Sequence, residues 1–382
     1  MAFSIEEHNL NAAKVWQDFE EGRPSRVPCV FNIGGQFWML TPRTNTHGYS
    51  FEQYFHDPAV QWQAQLAKRK WLREQPIQDA QLGLPDEWDG LTPDFQNTYE
   101  AEWFGCRLVF HDGEVPDSIP MLRERKADLA AMSIPDPIHD RVQGRALEFY
   151  RYFEERRKRD GFEDRPVGAS VLSGSGTDGP FTVSCNLRGT TELCLDLYED
   201  PKFAHELLGL VTEATIVRLK AVLGFNGAEF PRQGWGFADD SIMLLSETQY
   251  REFVLPHHQR LLTTFSQGGP NSVHLCGSVQ RLLPLLQKEL NIQDFDLGFP
   301  VDLGQLRKAL GPAALLRGNL HPRILRDGPA SLIREQTAAI LRSGAMEGGR
   351  YIFSEGNNVP PMTPVEHMRA AYETVVSLGT YR

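Results

Sequence analysis

The chain reads as an α/β protein, a single (β/α)8 TIM-type barrel spanning residues 26–382 behind an N-terminal helical extension over 1–25. Three observations predict this. Short apolar runs alternate with longer stretches of helical period, which implies βαβ units and a parallel sheet. Those runs end in polar or glycine-rich turns: Asn32-Ile-Gly-Gly, Ser173-Gly-Ser-Gly, Ala238-Asp-Asp, His274-Leu-Cys-Gly, Arg317-Gly-Asn and Ser354-Glu-Gly-Asn-Asn. In a (β/α)8 barrel the C-terminal ends of the strands form the catalytic mouth, so polar groups belong there. Finally, no G-x-x-x-x-G-K-[ST] loop occurs, as a doubly wound nucleotide-binding sheet would more often show.

Taken in order, residues 1–25 read as a leading helix and Val27–Ile33 as the first strand. Trp62–Glu74 is helical in period, Arg107–Phe110 a strand or hairpin arm, and Ala146–Arg159 a charged helix broken by Asp160-Gly161. Pro166–Leu172 reads as a strand, followed by a helical stretch over Thr191–Leu223 interrupted near Asp200-Pro201. A strand at Gly227–Phe230 and a helix at Ser246–Phe265 come next, then a strand at Asn271–Leu275 and a helix at Ser278–Leu290. Phe295–Phe299 and Ala313–Leu316 are strands flanking a short helix, Leu303–Leu310. A helix over Pro329–Ser343, a strand at Arg350–Phe353 and a helix over Pro364–Val376 close the chain.

Composition narrows the function. At 41% hydrophobic and 23% charged residues the chain has ordinary globular material for a large core. Its net charge of −11 disfavours nucleic acid and anionic membrane surfaces as partners. No apolar run reaches the ~18 residues of a membrane span, and Met-Ala-Phe-Ser-Ile-Glu-Glu-His-Asn lacks the basic-then-apolar order of a signal peptide. Cys29, Cys106, Cys185, Cys194 and Cys276 are an odd, scattered set, as expected in a reducing compartment. The expected location is the cytoplasm and the expected partner a small-molecule substrate. A homodimer is compatible with these patterns but not dictated by them.

His274-Leu275-Cys276-Gly277 is the sharpest motif. At a strand end, side chains at i and i+2 share a face, so the imidazole and the thiol can converge on one ion, and that pairing suits Zn²⁺. A buried thiol beside a hydrogen-bonded histidine satisfies the same spacing. Asp239-Asp240 places two carboxylates at a strand end, able to serve as acid, base or cation ligand or, more plainly, as a helix cap. Glu100-Ala101-Glu102 ahead of Trp103 is a further acidic candidate that also fits a solvated face. Arg188, Arg232, Arg317 and Asn319 are candidates to bind an anionic substrate group, or to make salt bridges. Trp235 could line an aromatic pocket, although core packing accounts for most tryptophans.

Together, Gly179-Pro-Phe-Thr with the long helix containing Asp200-Pro201, Ala238-Asp-Asp-Ser with Leu-Ser-Glu-Thr-Gln-Tyr-Arg-Glu-Phe-Val-Leu-Pro, His274-Leu-Cys-Gly-Ser-Val, and Gly356-Asn-Asn-Val-Pro-Pro-Met-Thr-Pro resemble the uroporphyrinogen decarboxylase superfamily. The resemblance runs from about residue 26 to the end and implies the (β/α)8 barrel. The decarboxylase proper carries an Arg-Gln-Ala-Gly-Arg run after its first strand to grip carboxylates; here that place reads Asn32-Ile-Gly-Gly-Gln-Phe-Trp. Thr98-Tyr-Glu-Ala-Glu-Trp-Phe-Gly is instead similar to the corrinoid-linked methyltransferase branch, in which a His-x-Cys pair binds zinc. The resemblance thus implies His274 and Cys276 as zinc ligands; Asp239, Asp240 and Glu100 are the candidate catalytic groups. Where that branch supplies a third ligand from Cys, this chain offers Asn357. Either Asn357 serves as a weaker third ligand, or a carboxylate such as Glu355, Asp239 or Glu100 takes that place, or the metal is lost.

The expected activity is a zinc-assisted methyl transfer or demethylation of a small substrate. No Asp-x-His-x-x-Gly corrinoid motif occurs, so a corrinoid would arrive on a partner protein or free in solution. Two alternatives stand beside it: a metal-free decarboxylase or lyase using the Asp239/Asp240 pair, and a lapsed barrel that binds a small ligand.

Overall fold

The computed structural model describes residues 3–381. Its regular strands are a short hairpin, β1 (Arg107–Val109) with β2 (Asp117–Ile119) antiparallel, and five parallel strands, β3 (Gly236–Ala238), β4 (Asn271–Leu275), β5 (Ile292–Leu297), β6 (Leu315–Leu320) and β7 (Tyr351–Glu355). Those five lie in sequence order, β3-β4-β5-β6-β7, each separated from the next by helix. The βαβ rhythm in the second half of the chain is therefore present. The intervening helices include Leu255–Phe265, Leu283–Leu290, Leu303–Leu310 and Ala330–Arg342, with Val365–Leu378 closing the chain.

Alternation along the strands sorts the side chains. In β4, Asn271, Val273 and Leu275 are buried while Ser272 and His274 are partly exposed. In β5, Phe295 and Leu297 are buried and Asp294 and Asp296 are not. With a period of two residues, one face packs on helices and the other, polar face lines a hydrated interior.

Eight regular strands were expected, and the ladder accounts for five. Val27–Ile33 runs beside β7, with Val30 N–H donating to Phe353 O (3.0 Å) and Phe353 N–H to Pro28 O (2.9 Å). Its other edge is satisfied by side chains: Cys29 N–H donates to Asp79 Oδ2 and Phe31 N–H to Gln78 Oε1, each at 2.8 Å. Pro166–Leu172 behaves alike. Val167 bridges Trp88, but Ser170 N–H donates to Glu154 Oε1 (2.7 Å) and Leu172 N–H to Asn226 Oδ1 (2.9 Å). A carboxylate or amide satisfies a backbone donor as well as a strand does, so these segments are extended without forming a regular ladder.

The strand expected at Gly227–Phe230 lies instead at Gly236–Ala238. Glycines hid it. A Cβ on Gly234 would stand 1.8 Å from Pro270 O, so neighbouring backbone approaches too closely there for any other residue, and one on Gly236 would stand 2.1 Å from the Ser272 side-chain hydroxyl. The leading helix is Ile5–Glu20, capped by Ser4 and tied down by Trp16 Nε1–H donating to Asp79 O (2.8 Å). No described helix is long and apolar enough to cross a membrane.

Candidate active site and metal centre

Register builds the site. Ala238 pairs with His274, and His274 with Asp296, across three adjacent parallel strands. His274 Nδ1 lies 2.8 Å from Asp296 Oδ2, which leaves Nε2 facing outward, 3.4 Å from Cys276 Sγ. Asp240, two residues beyond β3, accepts from the Cys276 N–H at 2.7 Å. Ligand atoms of Asp240, His274 and Cys276 all lie within 4.8 Å of one another. Zn–S and Zn–N bonds of about 2.3 and 2.1 Å at tetrahedral angles put S and N roughly 3.6 Å apart, so the observed spacing fits one shared ion. The carboxylate on Nδ1 is the partner that orients a ligating imidazole.

The electrostatics agree with that donor set. Burial pulls the His274 pKa down, but the hydrogen bonds to Asp296 and Cys276 outweigh it and raise it to about 11. Burial pushes the Cys276 thiol up, opposed by His274. Burial also raises Asp240, opposed by the Cys276 N–H. Unmetallated, His274 and Cys276 hold protons that a divalent cation would displace.

Of the three, Asp240 and His274 line a cavity of about 400 Å³ at the C-terminal ends of the strands. Six amides line it: Gln36, Gln96, Asn97, Asn186, Asn357 and Asn358. Asp178, Asp240, His274 and Thr182 supply the rest of its functional groups, and no arginine or lysine takes part. Asp178 is pushed up to about 7 by burial and then by its neighbours Glu100 and Asp240. Below the mouth, His274 also borders a second cavity of about 440 Å³ with Asp294, Asp296 and Arg317.

The expected site residues separate by this geometry. His274, Cys276 and Asp240 meet, and Asn357 lines the same cavity with its Oδ1 accepting from Asn358 Nδ2 (3.0 Å). Glu355 ends β7 fully buried, with both carboxylate oxygens accepting from Asn32 N–H (3.1 and 3.3 Å); burial raises it to about 8. It braces the first strand segment and is not part of the ligand cluster.

Asp239 points away from the cavity. It is fully buried, accepts from Phe181 N–H, Thr182 N–H and Thr182 Oγ1, and pairs with His258 Nε2 at 2.9 Å. It therefore caps the helix Pro180–Arg188, a helix earlier in the chain and not the segment that follows it. Glu100 is buried against Arg218 and accepts from Thr177 Oγ1 (2.9 Å) and Asp178 N–H (2.6 Å), so it holds the 174–178 loop and positions Asp178.

The anion-binding candidates are engaged elsewhere. Arg188 is buried on Asp196 (2.7 Å), Arg232 is exposed before β3, and Arg317 is clamped in two bonds by Asp294 (2.9 and 2.7 Å). Asn319 donates to Gly298 O and Val301 O. Trp235 packs on Phe237 and Phe265 ahead of β3, at the opposite end of the strand from the mouth. Asp178, Asp296 and the amides other than Asn357 were not singled out from sequence. The position of Asp178 after Ser173-Gly-Ser-Gly, one of the polar strand-end turns, was the available signal.

A parallel α/β scaffold with its polar site at the carboxyl ends of the strands defines the class of enzyme, and comparison with known proteins supplies the family. The chain belongs to the uroporphyrinogen decarboxylase family, whose model, Uroporphyrinogen decarboxylase (URO-D), matches residues 16–378. A uroporphyrinogen decarboxylase of Nocardia farcinica (strain IFM 10152) is 32% identical over 190 residues, 48% of this chain and 51% of that protein. The chain thus spans about half the length of that relative. A methylated-thiol–coenzyme M methyltransferase of Methanosarcina mazei is 27% identical over 285 residues, 74% of this chain and 71% of that protein. The solved structure of a methyltransferase from Methanosarcina mazei superposes with a TM-score of 0.64 at 19% identity, covering 98% of this chain and 99% of that one, and shows the fold alone. Decarboxylases and a methyltransferase both stand among the relatives, which supports an enzyme.

Proposed function

We propose that the chain catalyses zinc-assisted methyl transfer to or from a small substrate, with Asp240, His274 and Cys276 as the metal's protein ligands. The convergence of these three side chains at a polar mouth carries the reading. Three protein ligands with a fourth position facing a cavity is the arrangement of a catalytic zinc site, whereas a structural site is closed. When bound, zinc would act as a Lewis acid on a substrate heteroatom.

The chain's own residues do the rest. Asp296 holds His274 in one orientation with Nε2 turned toward Cys276 Sγ. Asp178, poised near neutrality, takes or returns a proton at the heteroatom as the methyl moves. The amides orient the reactants, and the heteroatom's lone pair forms the new bond to carbon while the methyl carrier keeps the pair of the broken bond. A corrinoid, whose ring edge is studded with amides, is a carrier chemistry that suits an amide-lined mouth; it would be brought by a partner protein. The scaffold is read as a (β/α)8 barrel in which the extended segments at 28–31, 88–91 and 167–172 stand among the irregular strands.

A metal-free lyase draws on one observation, the Asp178–Asp240 carboxylate pair with Asp178 raised. It is the weaker reading, because no arginine or lysine lines the mouth to hold a substrate carboxylate and the His274 imidazolium is already paired with Asp296.

The deciding experiment is metal content by mass spectrometry on protein purified without chelators, followed by methyl transfer from methylcobalamin to a thiol. About one zinc per chain, lost in both His274→Ala and Cys276→Ala together with methyl transfer, is expected. Metal-free wild-type protein, or transfer that survives Cys276→Ala, overturns the proposal.

A further inference from the structure

Behind the wall of the catalytic mouth lies a second, chemically different cavity of about 320 Å³. Trp38, Met39, Tyr54, Ala64 and Pro93 give it apolar walls, while Lys68 and Arg69 from the helix Pro58–Leu72 bring two cations to it. Among the described residues the Lys68 ammonium has neither a hydrogen bond nor a carboxylate within ion-pair distance, although the side chain is partly buried. Burial lowers its pKa. Arg69 donates only to the carbonyls of Asp89 and Gly90.

The carboxylate that lines the cavity, Asp94, is already committed. It accepts from Tyr54 Oη–H (2.9 Å), Gln96 N–H (2.9 Å) and Gln96 Nε2–H (2.6 Å), and from neither cation. In a chain of net charge −11 this is a pocket with more positive than negative groups. Partly desolvated cations ordinarily find a counter-charge, because leaving one unpaired is costly. Asp94 acts on Lys68 only through space, so a further counter-charge, small enough for the cavity and apolar along its stem, would complete the pairing.

We propose that the cavity bounded by Trp38, Tyr54, Lys68 and Arg69 is a binding site for the carboxylate of a small organic acid with an aromatic or aliphatic stem. The carboxylate sits on the Lys68 ammonium with Arg69 beside it, and the stem lies against Trp38, Met39 and Pro93. The site is separate from the metal cluster but shares a wall with the mouth. Asp94 faces the basic cavity and fixes Gln96, one of the amides that line the mouth. Gly35 allows the wall to be this thin, since a Cβ there would stand 2.8 Å from Gln96 Nε2 and 3.0 Å from Asp94 Oδ2. A bound carboxylate that competes with Asp94 for the Tyr54 and Gln96 donors of this wall would therefore be felt at the mouth.

Benzoate is the probe, titrated calorimetrically at low salt into the full-length protein, with benzamide as its neutral counterpart. Saturable binding of benzoate and none of benzamide is expected. Lys68→Gln should weaken it at least tenfold, Lys68→Arg should retain most of it, and His274→Ala should leave it unchanged. Thermal melts of both Lys68 variants, expected to match wild type, separate loss of the site from loss of the fold. Absence of benzoate binding, equal binding of benzamide, or binding undiminished in a folded Lys68→Gln protein overturns the proposal.

Discussion

Asp239 and Asp240 are neighbours in sequence with opposite environments. Successive side chains at the end of a strand point to opposite faces, so Asp239 goes into the protein against His258 and a helix N-terminus while Asp240 goes to the mouth beside Cys276. Their adjacency was legible in the sequence, but which of the two meets solvent was not. Asp296 was missed for a related reason: an aspartate in an apolar strand is unremarkable until register sets it beside His274. Because it fixes the imidazole without touching the metal position, Asp296→Asn should weaken zinc binding roughly 10–100-fold and, by removing the carboxylate paired with His274, should also lower the melting temperature of metal-free protein. Competition against a calibrated chelator reads that affinity directly, and an unchanged affinity would deny Asp296 a positioning role.

The helices and loops set how firmly the site is held. The stretch expected as one helix over Ser246–Phe265 contains a π turn at Tyr250–Val254 before Leu255–Phe265. That wider turn accompanies the chain Tyr250 Oη–His258–Asp239, with hydrogen bonds of 2.9 Å at each step. It anchors the N-terminus of Pro180–Arg188, and with it Thr182 and Asn186 at the mouth. The neighbouring His257 lies near Thr212 Oγ1 (2.9 Å) and is lowered to about 4 by burial, then by His258, His205 and Arg260. A depressed histidine pKa means the unfolded chain binds more protons between pH 4 and 6.5. Stability is therefore full above about 6.5 and falls as pH drops toward 4. Urea melts across that window should show the loss in wild type and a shallower slope in His257→Gln; equal slopes would place the acid sensitivity elsewhere.

For the molecule as a whole, a metal that binds only the folded state adds stability to every part of the cooperative unit. At free zinc 100 times its dissociation constant the gain is about 2.7 kcal/mol. Chelation should lower the melting temperature of wild type by a few degrees and zinc should restore it, whereas Cys276→Ala should melt alike with and without chelator. Calorimetry is the measurement, and a chelator effect equal in both proteins would point to a different metal site. Much of this molecule was readable in one dimension. The alternation of apolar runs with helices, the polar turns at strand ends and the His-x-Cys spacing are local patterns, and they suffice for the parallel α/β class, for the end of the sheet where the polar cavity lies and for two members of the proposed metal-ligand cluster. Tertiary structure alone decided the rest. Whether Arg188, Arg317 and Asn319 were free or already satisfied depended on Asp196, Asp294 and the carbonyls of Gly298 and Val301. The third member of the cluster, Asp240, reaches Cys276 only because β3 and β4 lie side by side. A side chain's partners across a sheet are set by strand register, and register is a property of the packed chain that no local pattern encodes.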